Sequence, residues 1–184
     1  KGHVFKTRCD TEIIVHGWEE WGDACVERFN GMFAFGVWDR NRDCVFLARD
    51  RIGIKPLYYA VTKDRYLVFA TELKALMLHP ELDRELRPEA IEDYFAFGYV
   101  PDPKTIFRSA HKLPPGHTLK VGRSGSLPEP RCYWDLSFGT GEPMDPARLD
   151  EELISRLSAS VDRRLVAEVP LGAFLSGGVD SSAI

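Results

Sequence analysis

The residues most able to do chemistry lie at the end of the chain, in Leu171-Gly172-Ala173-Phe174-Leu175-Ser176-Gly177-Gly178-Val179-Asp180-Ser181-Ser182. The apolar run ending at Leu175, bounded by Pro170 and a glycine pair, predicts a short buried strand. Gly177 and Gly178 carry no Cβ, so the backbone can turn tightly and approach a ligand. Asp180, Ser181 and Ser182 then open a predicted helix. Strand, glycine turn and helix start expose N–H groups and the positive end of a helix dipole, which together suit an anion such as phosphate. Ser176, Ser181 and Ser182 add hydroxyl donors, and Asp180 is the expected magnesium ligand. A bare Gly-Gly would be read as an ordinary strand-to-helix turn; the full seven-residue run Ser-Gly-Gly-Val-Asp-Ser-Ser is far more specific.

That run resembles the ATP-pyrophosphatase loop, Ser-Gly-Gly-x-Asp-Ser. The resemblance implies ATP binding by Leu175, Ser176, Gly177, Gly178, Asp180, Ser181 and Ser182, with Mg2+ at Asp180. It also implies release of pyrophosphate, leaving an adenylated carboxylate or carbonyl. The sequence has no Gly-Lys-Ser or Gly-Lys-Thr and no Gly-x-Gly-x-x-Gly after the strand, so neither a Walker loop nor a dinucleotide fingerprint competes. Without a P-loop lysine aimed at the γ-phosphate, cleavage between the α and β phosphates is expected.

The elements that position this loop can be read backwards along the chain. Leu149, Leu153, Leu157, Val161 and Leu165 recur every four residues, which predicts an amphipathic helix over 150–166 leading into the strand. Helix, strand, glycine turn and helix begin an α/β unit. Residues 138–143 form the expected linker, and the expected domains are 1–140 and 141–184. Upstream, prolines at 101, 103, 114, 115, 128 and 130 break any long element, with short edge strands expected at 118–121 and 131–134. Helices are expected over 88–97, 72–78, 23–29 and 11–21, the last with Asp10 or Thr11 as N-cap. Two hairpins are expected, one pairing 31–38 with 44–49 and one pairing 57–61 with 66–70. This first part is therefore expected to be α+β, antiparallel sheets with helices packed on them.

Composition narrows the classes. The chain has 184 residues, 44% hydrophobic and 28% charged, with a net charge of −4, which argues against a dedicated nucleic-acid binder. No apolar run approaches the roughly 20 residues that cross a bilayer, so no membrane partner is expected. Cys9, Cys25, Cys44 and Cys132 are widely spread, with no CxxC. Free thiols in a reducing cytoplasm are the expectation. A first residue of Lys and an end at Ile184 suggest a piece of a longer protein.

Four stretches of the first part go beyond packing: Cys9-Asp10-Thr11-Glu12, Phe29 to Phe35, Ala48-Arg49-Asp50-Arg51-Ile52-Gly53-Ile54-Lys55-Pro56-Leu57-Tyr58-Tyr59, and Thr71 to Leu76. With Leu113-Pro114-Pro115-Gly116-His117 and Tyr133-Trp134 they resemble the glutaminase domain of glutamine-hydrolysing asparagine synthetases, of the class II amidotransferase type. The resemblance runs through nearly the whole chain and implies a glutaminase half followed by a synthetase half of adenine-nucleotide hydrolase-like α/β fold. It gives Asp10 the α-amino group of glutamine; read alone, Asp10 is an N-cap. Arg49, Asp50, Arg51 and Lys55 read as an ion-pair network holding the turn before Pro56, and His16 as a packed or solvated histidine. The aromatic residues from Phe33 to Trp38 read as core.

The family's nucleophile is an N-terminal cysteine, and residue 1 here is Lys. Cys9 reads as structural, so no glutamine hydrolysis is expected from these 184 residues alone and no catalytic residue is assigned. The implied reaction adenylates a carboxylate, most simply aspartate, and adds glutamine-derived ammonia. Glutamine, ATP and that acceptor are the expected partners; a homodimer is left open. Two alternatives stand beside it: a same-architecture synthetase closing a ring, like β-lactam synthetase, and a non-catalytic nucleotide-binding module.

Overall fold

The computed structural model describes residues 2–123, 127–139 and 145–183. The expected linker falls mostly on residues 140–143, outside the described residues, as does the expected 140/141 boundary. Two compact units are present, 1–136 and 137–184.

The first unit is built on two antiparallel sheets. β1 (Ala34–Asp39) and β2 (Cys44–Arg49) form the first hairpin, with β6 (His117–Gly122) and β7 (Arg131–Cys132) completing a sheet of order β1-β2-β6-β7. β3 (Tyr58–Val61) and β4 (Leu67–Ala70) form the second hairpin, and β5 (Ala110–Lys112) pairs with β3. Both hairpins stand where pairs of apolar, aromatic and β-branched runs around a polar turn put them. β6 is not an edge strand; it lies between β2 and β7. β5 follows a proline-broken stretch and carries only three residues, too few for a period of two to register.

The pleat explains the layers, because alternate residues face opposite ways. On β2, Cys44, Phe46 and Ala48 face Trp18, Cys25 and Val26, from the helices α1 (Thr11–Trp21) and α2 (Cys25–Arg28). Leu47, between them, points the other way to Leu57, Tyr59, Leu113 and Leu119. The second sheet then turns Ala60 and Ala110 outward onto Leu76 and Met77 of and beside α3 (Leu73–Leu76). The order is helix, sheet, sheet, helix, with apolar contacts between each pair of layers. The sheets come close enough that a Cβ on Gly36 would lie 2.9 Å from the Phe69 ring. Burying each large side chain here contributes roughly 1.5–3 kcal/mol.

Expectation and structure part at several ends. The helix expected over 23–29 divides into a 3-10 turn, Gly22–Ala24, and α2. α4 (Pro88–Phe97) has Pro at its first turn and stops at Gly98, whose φ of 77° lets its N–H reach the Tyr94 carbonyl. Phe33 and Phe35 pack on the core, but Trp38 is exposed, because it sits on the opposite face at the end of β1.

In the second unit, α5 runs Pro146–Asp162, earlier than expected. Its end tightens into i→i−3 bonds, Arg164 N–H to Val161 and Leu165 N–H to Asp162, which the leucine spacing does not encode. The strand expected up to Leu175 does not form: 169–176 has no ladder, and Phe174 and Leu175 are exposed. A strand exists only through a paired neighbour, and no described segment pairs with this one. The helix after the loop is α6 (Val179–Ala183). Among the described residues no helix is long and apolar enough to cross a membrane.

All four cysteines are free; Cys9 and Cys132 are exposed, Cys25 and Cys44 buried. Desolvation pushes the Cys25 thiol up to about 11 and raises Cys44 as well. Since the thiolate is the nucleophile, a disulfide reagent at pH 8 should titrate two thiols quickly in the native chain and four in denaturant. Mass mapping should place the quick pair at Cys9 and Cys132; fast labelling of Cys25 would contradict the packing.

Candidate functional site

The first candidate region is built around a turn. β2 ends in Arg49, and Arg49 and Asp50 are both buried. The Asp50 carboxylate accepts the N–H groups of Ile54 at 3.0 Å, Lys55 at 2.9 Å and Phe33 at 3.3 Å. Its own N–H donates to the Phe33 carbonyl, and its carbonyl accepts from Gly53 and Gly116. Arg49 donates to the carbonyls of Lys55, Gly53 and Leu113 and to the Asp102 carboxylate at 3.0 Å. Arg51 reaches back to the Phe29 and Glu27 carbonyls. The expected ion-pair network is thus chiefly a network of ions on main-chain groups.

The other motif stretches close on the same turn. Tyr133 donates its hydroxyl to the Arg49 carbonyl, and the N–H groups of Tyr133 and Trp134 bond the Gly116 carbonyl. Gly116 has φ +65°, and a Cβ there would lie 2.3 Å from the Trp134 carbonyl oxygen; only glycine fits. Burial drives the Tyr133 phenol up to about 12, so it remains a hydrogen-bond donor.

This frame supports one side of a cavity of about 610 Å³ lined by Asp10, Arg28, Asn30, Met32, Lys55 and Thr71, among others. Asp10 stands before α1 but is not a side-chain cap. Its φ of −63° and ψ of −25° are already helical and its carboxylate makes no cap bond. Glu12 instead ties the preceding segment, accepting the Thr7 hydroxyl and the N–H groups of Lys6 and Thr7. The Thr7 hydroxyl first, then the Lys6 N–H, holds the Glu12 carboxyl down at about 2. Asp10 is exposed, and Cys9 Sγ lies 3.7 Å from its carboxylate.

Lys55 shares the expected network through its main chain, which is held by Arg49 and Asp50, while the residue lines the cavity. Arg28 stacks over the Trp21 ring at 4.7 Å. An anionic group and two cationic ones around one cavity suit a zwitterion. Sequence reasoning passed over Arg28 and Thr71 here. Thr71 stands in a quoted motif stretch, but no spacing rule brings positions 10, 28, 55 and 71 together.

In the second unit, hydrogen bonds join four of the seven expected loop residues, Ser176, Gly178, Ser181 and Ser182. Ser176 Oγ and Ser181 Oγ are 2.8 Å apart, and the Gly178 N–H reaches Ser176 Oγ at 3.4 Å. Ser181 and Ser182 both donate hydroxyls to the Gly178 carbonyl. Gly177 has φ +78° with nothing within 4 Å of a Cβ position. Asp180 is exposed at the start of α6, and Leu175 is exposed before the turn. Three hydroxyls, an open glycine backbone and an exposed carboxylate form a donor set that fits a phosphate and a magnesium ion.

Residues 1–134 match the family model described as a glutamine amidotransferase domain, and residues 152–184 match that of asparagine synthase. The chain is 37% identical over 186 residues to "Asparagine synthetase [glutamine-hydrolyzing] 3" of Bacillus subtilis, covering 100% of this chain and 30% of that protein. It is 38% identical over 192 residues to "Asparagine synthetase [glutamine-hydrolyzing] 2" of the same organism, covering 99% and 26%. "Amidase chyE" of Penicillium rubens is 37% identical over 183 residues, covering 95% and 26%. The chain therefore spans less than a third of each of these relatives.

The turn predicts its own test. Asp50→Ala leaves three main-chain N–H groups without their acceptor, at about 1–3 kcal/mol for each group that stays buried. An unfolding free energy in urea lowered by about 3 kcal/mol or more, with unchanged slope, is expected; a loss under about 0.5 kcal/mol would make the turn incidental.

Proposed function

Since the chain belongs to the glutamine amidotransferase domain family, matched across residues 1–134, we propose that it is part of an asparagine-synthetase-type ligase, forming a carbon–nitrogen bond with glutamine as amide donor. The succession of the two matches, glutaminase type and then asparagine synthase type at 152–184, is the observation that carries this reading. In it, the glutaminase domain releases ammonia from glutamine. The synthetase domain converts a carboxylate, most simply that of aspartate, into an acyl-adenylate with release of pyrophosphate. Ammonia then displaces AMP. Adenylation is needed because a free carboxylate is a poor electrophile, whereas AMP is a good leaving group.

Each half asks different work of these residues. Asp10 takes the α-ammonium of glutamine through a charge-assisted hydrogen bond, at a cavity that also offers Arg28 and Lys55. Leu175, Ser176, Gly177, Gly178, Asp180, Ser181 and Ser182 hold ATP. Asp180 would hold a magnesium ion, whose positive charge would offset that of the departing pyrophosphate. Cys9 does not line the Asp10 cavity and lacks the free α-amine of the family nucleophile.

Two substitutions in the intact protein separate the halves. Asp10→Asn should raise the KM for glutamine about 10- to 100-fold, since hydrogen bonds to charged groups contribute about 1.5–3 kcal/mol. It should leave ammonia-dependent synthesis unchanged; an unchanged glutamine KM would remove Asp10 from the site. Asp180→Ala should lower pyrophosphate release about 100-fold with either nitrogen source. Full release without Asp180 would take that residue out of the mechanism.

A further inference from the structure

A second cluster lies on α1, on residues that neither proposed site uses. Helical spacing puts Glu12, His16, Glu19 and Glu20 on neighbouring positions of one side of the helix. The segment before the helix lays His3 and Phe5 over them: the two imidazole centroids are 4.7 Å apart, and Phe5 meets His16 edge-on at 4.9 Å. Both Nδ1 atoms face one oxygen, with His16 Nδ1 3.1 Å and His3 Nδ1 3.5 Å from Glu19 Oε2. One donor atom from each of His3, His16 and Glu19 lies within 4.8 Å of the others.

These separations match a metal shell. Bonds of about 2.0–2.1 Å to nitrogen and oxygen in a tetrahedron put neighbouring donors about 3.3–3.4 Å apart, between the two observed distances. The atoms behind the donors are also suitably placed. Metal-bound imidazoles usually turn their second nitrogen to a carboxylate, which orients the ring. His3 Nε2 is 3.4 Å from Glu20 Oε2, and His16 Nε2 is 3.5 Å from Glu12 Oε1. The His16 Nε2 atom is buried and makes no hydrogen bond, whereas Glu12 is itself anchored on Lys6 and Thr7.

We propose that His3, His16 and Glu19 form a site for a first-row divalent cation of the zinc type, with Glu20 and Glu12 behind the two imidazoles. Two neutral imidazoles and a carboxylate suit zinc better than magnesium or calcium, which prefer all-oxygen shells. The three ligands leave one tetrahedral position for water. Binding ties residues 2–7 onto α1, the helix that Asp10 precedes, so the ion would stabilise the entrance to that helix as any ligand of the native state does.

The test uses the full chain with Cys9 and Cys132 changed to serine, because exposed thiols bind zinc themselves. Zinc titrated against a chromophoric chelator should bind at one equivalent and raise the melting temperature. Cobalt should give d–d bands without thiolate charge transfer. His3→Gln and Glu19→Gln, at exposed positions, should each weaken zinc binding at least about tenfold and abolish most of the thermal shift. His16→Gln should do the same; should it fail to fold, the other two variants decide. Zinc binding no tighter than about 1 mM, or equal affinity in the His3 and Glu19 variants, would overturn the site.

Discussion

Two adjacent buried ions, Arg49 and Asp50, are the constraint on which the first unit depends. Desolvating a guanidinium or a carboxylate costs several kcal/mol unless its hydrogen bonds are replaced. Here they are replaced mostly by the main chain: Arg49 serves three carbonyls and one carboxylate, and Asp50 takes three N–H groups. Each of those groups belongs to a different stretch or to a different residue of the same turn. Residues 33, 53–55, 102 and 113 therefore cannot shift separately without stranding a buried charge. This is why motifs far apart in the sequence meet at one place.

The arrangement turns a packing problem into positional precision at the surface. Lys55 lines the Asp10 cavity from a backbone whose carbonyl is held by Arg49 and whose N–H is held by Asp50. Phe29 and Phe33, on either side of Asn30, Gly31 and Met32, are fixed by Arg51 and Asp50. Their rings then pack edge-on, with centroids 5.8 Å apart. A loop held at one end by the buried Asp50 and at the other by the half-buried Arg51 presents its side chains at nearly constant positions, so little entropy would be lost on binding a ligand there. The same bonds leave no freedom at Gly116, where even a methyl group collides with the Trp134 carbonyl.

What the sequence made legible followed from local periodicity and from punctuation. The two hairpins are pairs of apolar runs around polar turns, α1 has helical spacing, and Pro88 and Gly98 mark the ends of α4. What stayed hidden was decided by partners. Three residues of β5 carry no period and owe their state to β3. Asp10 has the right type and place for a cap, yet Glu12 takes over the anchoring by reaching back to residues 6 and 7. The run 171–175 has strand composition, but composition supplies no ladder. His16 was legible only as a packed or solvated histidine; its pairing with His3 across thirteen residues was not, because no periodicity links a helix face to the segment that folds over it.

The loop of the second unit is built differently from the cavity of the first. There the frame is rigid and the side chains are exposed. In the loop, the hydroxyls of Ser181 and Ser182 and the Ser182 N–H all share one acceptor, the Gly178 carbonyl. A hydroxyl is a rotor, so turning it from a carbonyl to a phosphate oxygen exchanges a neutral bond for a charge-assisted one, which is roughly twice as strong. No main-chain movement is needed for that exchange. The conformational cost lies instead at Gly177, whose φ of +78° is one that other residues adopt only under strain. Under the proposed reading these hydroxyls would turn from the carbonyl to the anion while Gly177 keeps its φ.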